Sequence, residues 1–448
     1  MNSIILPKNV IDFMKAFKEA GYLIYVVGGA VRDMLLNKQT TNWDFTTNAN
    51  PEQIQKLFPN NFYNNDYGTV SVPMPDNLIF EITPFRNEGL YKDNRHPEDV
   101  TWTETIDKDL SRRDFTINSI AYDGNSVIDP YNGQKDLQTK IVRAVREPSK
   151  RFQEDALRLM RGVRIATELQ FEIEAITKKA IIENAELLKN VSRERIRDEL
   201  FKILKSDFPS EGILLLKDTG LLNFIIPELS KAFETPQVSP KRHHIYDVGT
   251  HCVMSLKECK SKNHIVRLAC LLHDIGKPAT FNKDENTQII TFYNHEIIGA
   301  KIVKDIAQNL RLSKKDSEKL YQLVRYHQFT VSELQTDKAL RRFIREVGKE
   351  HLEDMLMLRE ADRIGSGSTP TSWRFELFKK RLIEVQKEPF KITDLKIDGT
   401  DVMKELNLKP GRKIGEILQQ LFEEVVEKKV ENDREMLLKK LKEFDTKL

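Results

Sequence analysis

Up to about residue 148 the apolar residues of this chain recur alternately at helical and at strand spacing. Beyond Pro148 glycine and proline thin out and the 3.6-residue period runs to the end. A chain divided in this way is predicted to be α+β: an N-terminal mixed α/β palm followed by helical domains. In the first part helices are expected near 11–20, from Ala30 and over Pro51–Leu57, and strands at 23–27, 69–72 and 78–83. Between Arg86 and Thr101 a polar, breaker-rich stretch predicts a mobile loop, of a kind that closes over substrate. Breakers at 233–240 and 365–370 punctuate the helical part, so the 448 residues are expected as segments 1–148, 149–238, 239–370 and 371–448.

Charge narrows the choice of partner. Lys and Arg total 71 against 68 for Asp and Glu, a net +3, so any nucleic-acid contact must come from local patches rather than a basic coat. Cys252, Cys259 and Cys270 form no Cys-x-x-Cys pair, which points to small buried hydrophobes in a reducing compartment. No uncharged run approaches the roughly 18 residues of a membrane helix, and the N-terminus lacks a charged segment ahead of an apolar core. The expectation is a cytoplasmic protein with no membrane contact; oligomeric state is not legible.

The chemistry-bearing residues start at a hydrophobic run that ends in Gly28 and Gly29. Neither has a side chain to hold a phosphate away from the backbone. Arg32 falls on the first turn of the next helix. Asp44 follows and, with Glu81 in a later apolar strand, could hold a divalent metal against a triphosphate. A glycine pair alone also marks an ordinary turn. Arg112, Arg113 and Asp114 open what reads as an apolar helix. Further on, Glu154, Asp155 and Arg158 fall within about one helical turn, and Arg158, Arg161 and Arg164 line up every third residue as a basic stripe, which could equally be a solvated face.

Taken together these segments resemble the nucleotidyltransferase family of bacterial CCA-adding enzymes and poly(A) polymerases. That family carries Gly-Gly-x-x-Arg-Asp, then Asp-x-Asp and a third carboxylate, an Arg-Arg-Asp-Phe-Thr-x-Asn block and a Glu-Asp-x-x-Arg motif. The resemblance implies tRNA nucleotidyltransfer: the tRNA 3′ end attacks CTP or ATP with magnesium and no nucleic-acid template. It assigns catalysis to Asp44, Glu81 and position 42, and the triphosphate to Gly28, Gly29, Arg32 and Arg113. Asp114 and Asn118 organise the site. Asp155 and Arg158 mimic Watson–Crick partners toward an incoming C or A, with Arg161 and Arg164 beside them. Arg195 and Glu199 brace that template. The tail at 397–415 is similar as well, and the last segment is expected to bind tRNA. One position departs: where the family has Asp-x-Asp, this chain has Asn42, Trp43 and Asp44. An asparagine coordinates without charge, so metal positioning should suffer.

A separate constellation lies downstream. His251, His273, Asp274, His295, His327 and Asp362 follow the order of the HD phosphohydrolase superfamily, which implies a second divalent site holding Mg, Mn, Ni or Fe and acting on phosphoesters. Adjacent His273 and Asp274 inside the apolar run 268–275 are costly unless a metal or other partners compensate them. Two further readings remain open: a poly(A) polymerase using ATP only, and an HD phosphohydrolase whose weakened head serves to bind RNA.

Overall fold

A computed structural model of the chain describes residues 4–64, 68–88, 100–103, 105–238, 245–386, 392–427 and 429–445. The expected loop falls largely on 89–99, outside the described residues. The chain groups into two compact units, Met1–Glu234 with Ile306–Leu312, and Thr235–Asp305 with Ser313–Leu448. The segment expected at 1–148 and that expected at 149–238, up to residue 234, therefore fall in the first unit, and most of the rest falls in the second.

The first unit is built on a mixed seven-stranded sheet, as the α+β expectation requires. Its strands are β1 (Ile24–Val27), β2 (Trp43–Thr47), β3 (Phe62–Asn64), β4 (Thr69–Pro73) and β5 (Ile79–Pro84), together with the short strands Ala121–Tyr122 and Val127–Ile128, in the order β3-β4-β5-β2-β1 and then those two. Strands β2 and β5 run parallel and the remaining neighbours antiparallel. Helix α1 (Lys8–Glu19) covers one face of the sheet: Phe13 packs on Phe45 of β2 and Phe80 of β5, ring centroids 4.9 and 5.0 Å apart. Because strand side chains alternate, this burial directs Asp44 and Glu81 to the other face.

Two expected helices come out differently. Helix Ile106–Ser111 ends where one was expected to start, with Arg112 as its C-cap, and a single 3-10 turn, Thr116–Asn118, follows. Phe115 is extended and bridges to Ala144, while Thr116 donates to Arg143 O and Val145 to Asp114 O. Backbone pairing with the 143–145 segment thus outcompetes the helical pattern. Helix Pro148–Glu154 likewise stops at Asp155 (φ −140°, ψ 104°), and Leu157–Leu169 starts anew. The side chain of Asp155 accepts from Leu157 N at 3.1 Å, a local bond that competes with helix continuation.

In the second unit the described residues are almost wholly helical, including Val248–Lys257, His264–Leu272, the helix His295–Asn309 as far as Asp305, Lys314–Tyr326 and Leu352–Gly365. Among the described residues no helix is long and apolar enough to cross a membrane. Gly276 marks the tightest approach in this unit: an added Cβ would lie 2.1 Å from His295 O and 2.6 Å from Gly299 N. Gly276→Ala should therefore lower the stability of this unit by about 2 kcal/mol or more, in the range of overpacking penalties. Urea unfolding followed by circular dichroism measures it, and a change below about 0.5 kcal/mol would show that the two backbones part freely.

Candidate functional site

Strand β1 delivers Gly28 with φ +68°, a conformation that strains any side-chain-bearing residue. A Cβ there would stand 3.0 Å from Nη1 of Arg113 and 3.8 Å from Oδ2 of Asp44, so the glycine keeps a guanidinium and a carboxylate close to bare backbone. Helix α2 (Gly29–Leu35) starts at this point and carries Arg32. Arg32 donates from Nη1 to Asn118 Oδ1 at 2.9 Å and from Nε to Asp33 Oδ1 at 2.9 Å, which fixes its plane. Asp44 and Glu81 are direct register partners across the parallel β2–β5 pair. Burial raises the carboxyl of Asp44 above its ordinary value even against Arg113 and Arg161; burial and then Asp44 itself raise Glu81. Two carboxylates set side by side at such a cost are a fitting seat for a cation. Asn42 immediately precedes β2 and is exposed.

Behind these groups lies a buried polar network. Asp114 accepts from Asn118 Nδ2 at 3.2 Å, from Phe115 N at 2.9 Å and from Arg161 Nε at 2.7 Å. Burial alone would raise its carboxyl, yet Arg161 and Arg158 hold it far below the carboxylate range. Asp109, not singled out from the sequence, takes Arg112 in a two-pronged contact and Arg113 at 3.2 Å. Its i, i+4 spacing to Arg113 was the available signal.

The stripe expected along the helix Leu157–Leu169 does exist, but each of its charges is tied to a carboxylate. Arg158 meets Glu154 at 2.8 Å and the carbonyls of Arg112 and Arg151; Arg161 meets Asp114; Arg164 meets Glu199 at 2.6 Å and Glu168 at 2.7 Å. Asp155 stands at the helix break rather than one turn before Arg158 on the same helix, and Arg195 holds it at 2.9 Å. Glu199 in turn holds Arg164 from the neighbouring helix.

In the second unit all six expected residues converge. His251 Nε2 lies 3.1 Å from His273 Nε2, and His295 Nε2 lies 3.3 Å from His327 Nε2. Asp274 reaches His251 and His273 at 3.3 Å and His295 at 3.2 Å, and Asp362 reaches His251 at 3.2 Å. The Nδ1 atoms of His273, His295 and His327 donate to the carbonyls of Cys270, Phe292 and Val324, each at 2.8 Å. A carbonyl can only accept, so Nδ1 of each ring carries its proton and Nε2 is the atom turned toward the cluster. Burial pushes His327 below its ordinary value, which keeps it neutral. Imidazole nitrogens and a carboxylate converging this closely fit a metal ion. Lys277, which sequence reasoning passed over, bonds Asp274 at 2.6 Å and Gln237 at 2.9 Å. A cavity of about 680 Å³ opens over the cluster.

Asp114→Asn should cost about 2 kcal/mol at pH 7, moderated because Arg161 keeps 35% of its side chain in water. The carboxyl of Asp114 is depressed in the fold, so this stability is present above the unfolded value near pH 4 and is lost as pH falls toward the folded one. Urea unfolding of both proteins at neutral and acid pH measures it: the gap should close on acidification.

Residues 24–143 match the "Poly A polymerase head domain", 170–233 the "Probable RNA and SrmB- binding site of polymerase A", and 280–441 the "tRNA nucleotidyltransferase domain 2 putative". The CCA-adding enzyme of Ligilactobacillus salivarius is 31% identical over 440 residues, 98% of this chain and 96% of its own. That of Geobacillus thermodenitrificans is 40% identical over 220 residues, 49% of this chain, and the match spans about half of that relative, 54%. Among solved structures, the Bacillus stearothermophilus CCA-adding enzyme in complex with CTP aligns with TM-score 0.73 and 26% identity over 99% of both chains. The Thermotoga maritima enzyme complexed with tRNA shares the fold, with TM-score 0.60 at 19% identity over 98% of this chain and 96% of that one. The chain belongs to the family of CCA-adding enzymes and poly(A) polymerases.

Proposed function

We propose that the first unit adds C and A to the 3′ end of tRNA from CTP and ATP without a nucleic-acid template. The observation that carries this reading is the register pairing of Asp44 with Glu81 beside Gly28 and Arg113. Asp44 and Glu81, with Asn42 as a neutral third ligand, would hold magnesium, which supplies Lewis acidity toward the α-phosphate. The 3′ hydroxyl oxygen attacks the α-phosphorus, the bond to the β-phosphate oxygen breaks, pyrophosphate leaves and the hydroxyl proton is released. Arg32 and Arg113 neutralise the triphosphate, and the bare backbone at Gly28 and Gly29 lets it approach. Asp155, held by Arg195, would accept from the exocyclic amine shared by cytosine and adenine, and Arg158, held by Glu154, would donate to the ring. Incubation with tRNA lacking its terminus and each labelled nucleotide tests the reading: C incorporation followed by one A and then arrest supports it. Extended A runs with ATP alone would indicate a poly(A) polymerase.

Asn42→Asp returns a charge to the metal seat. A gain of about 3 kcal/mol in transition-state stabilisation corresponds to roughly a hundredfold in rate. Single-turnover addition at saturating magnesium should accelerate by about that factor while nucleotide affinity changes far less. An unchanged rate would remove position 42 from the metal site.

The inward-facing imidazoles of the second unit favour a second activity, an HD-type phosphohydrolase centre. His251, His273, Asp274, His295, His327 and Asp362 would hold one or two divalent ions, which activate water toward a phosphoester. Water adds to phosphorus, the ester P–O bond breaks, and the alcohol departs with a proton. Changing His273 and Asp274 together to alanine should abolish bound metal and phosphoesterase turnover while nucleotide addition persists. Loss of both activities in folded protein would contradict two independent centres.

A further inference from the structure

The cavity over the imidazole cluster adjoins a second one, of about 590 Å³, and the two share Gln328, Arg359 and Arg363. Their linings differ in charge. Asp274, Glu296 and Asp362 lie in the first; the second is lined by Arg359, Arg363 and Arg374 with hydroxyls from Thr330 and Ser372, and by no carboxylate. Arg359 and Arg363 sit one turn apart on the helix Leu352–Gly365, on either side of Asp362 in sequence. Arg359 lies 3.4 Å from Asp362 and stacks over the Phe329 ring at 5.5 Å, which fixes its guanidinium plane between the cavities. Arg374 is matched by Glu333 outside the lining. Arg363 donates to Thr369 O at 3.1 Å and, among the described residues, has no carboxylate within ion-pair reach. The second cavity thus presents three guanidiniums, of which that of Arg363 is matched by no carboxylate among the described residues, and their fork-shaped donors match phosphate oxygens.

We propose that this cavity is a subsite for a second phosphate of the ligand whose first phosphate lies over the imidazole cluster. The proposal rests on the phosphohydrolase reading and narrows its substrate class to compounds with two separated phosphates. Either a nucleoside bisphosphate or a strand with an internal diester supplies that chemistry.

Calorimetry on the full chain, with its metal content assayed and nucleotide integrity checked afterwards, compares 3′-AMP, adenosine 3′,5′-bisphosphate and the dinucleotide ApAp. The expected result is bound metal, with at least one two-phosphate ligand binding about tenfold more tightly than 3′-AMP, and that preference reduced about tenfold in Arg363→Ala. Arg363→Lys should retain part of it. Preference for the dinucleotide alone identifies a strand as the source; preference for both identifies the phosphate itself. Metal-loaded protein that binds all three alike would overturn the subsite while leaving the hydrolase centre standing. Protein that never binds metal, even with the preference intact, would overturn the hydrolase reading and the substrate assignment with it. Should Arg363→Ala fail to fold, the wild-type affinity ratio and Arg374→Gln decide the question.

Discussion

Withdrawing the carboxylate of Asp114 from water is costly, and the first unit is arranged around the groups that offset that cost. Arg161 comes from the helix Leu157–Leu169, Asn118 from the 3-10 turn, and Asn118 in turn accepts from Arg32. One buried charge therefore joins the helical segment after 148 to an arginine beside the glycine turn. Such a network is worth more than its separate bonds when every member is satisfied and becomes a liability when one is missing. The same Arg161 lowers Asp44 while burial raises it, so the support of the site and its electrostatics share a residue.

The alternating and 3.6-residue patterns located the main strands and helices of the first unit because those patterns record which face is buried. Helix Pro51–Leu57 appears as expected, and β1 and β5 lie within a residue or so of their expected positions. The departures share a cause. At Arg112–Asn118 and at Asp155 the local pattern permits a helix, but remote groups compete: the 143–145 backbone in one case, Arg195 and a side-chain turn in the other. Charge was the least legible property. A row of arginines looks like a solvated face or a ligand patch until Glu199, 35 residues beyond Arg164, turns inward to meet it. Likewise Lys277 was in plain view at i, i+3 from Asp274, but its role depends on burial that no short spacing reports.

The two clusters use opposite electrostatic means to the same end. In the sheet, like charges are forced together by strand register and raised by burial. In the helical unit, three of the rings are locked by carbonyls so that their Nε2 atoms face inward, and Asp274 is held ionised by Lys277 and His273 against the effect of burial. In the sheet this leaves negative potential that a positive ion would relieve.

The contact at Gly276 bears on how finely the imidazole cluster can be held. The turn that follows His273 and Asp274 meets the helix of His295 backbone to backbone, with no side chain between them. Spacing across that contact is set by covalent geometry and van der Waals radii rather than by rotamers. Heating, or repacking of the nearby Val324 and Ile275, would then change the distance between the two halves of the cluster little, a mechanical tolerance closer to a machined joint than to a packed core.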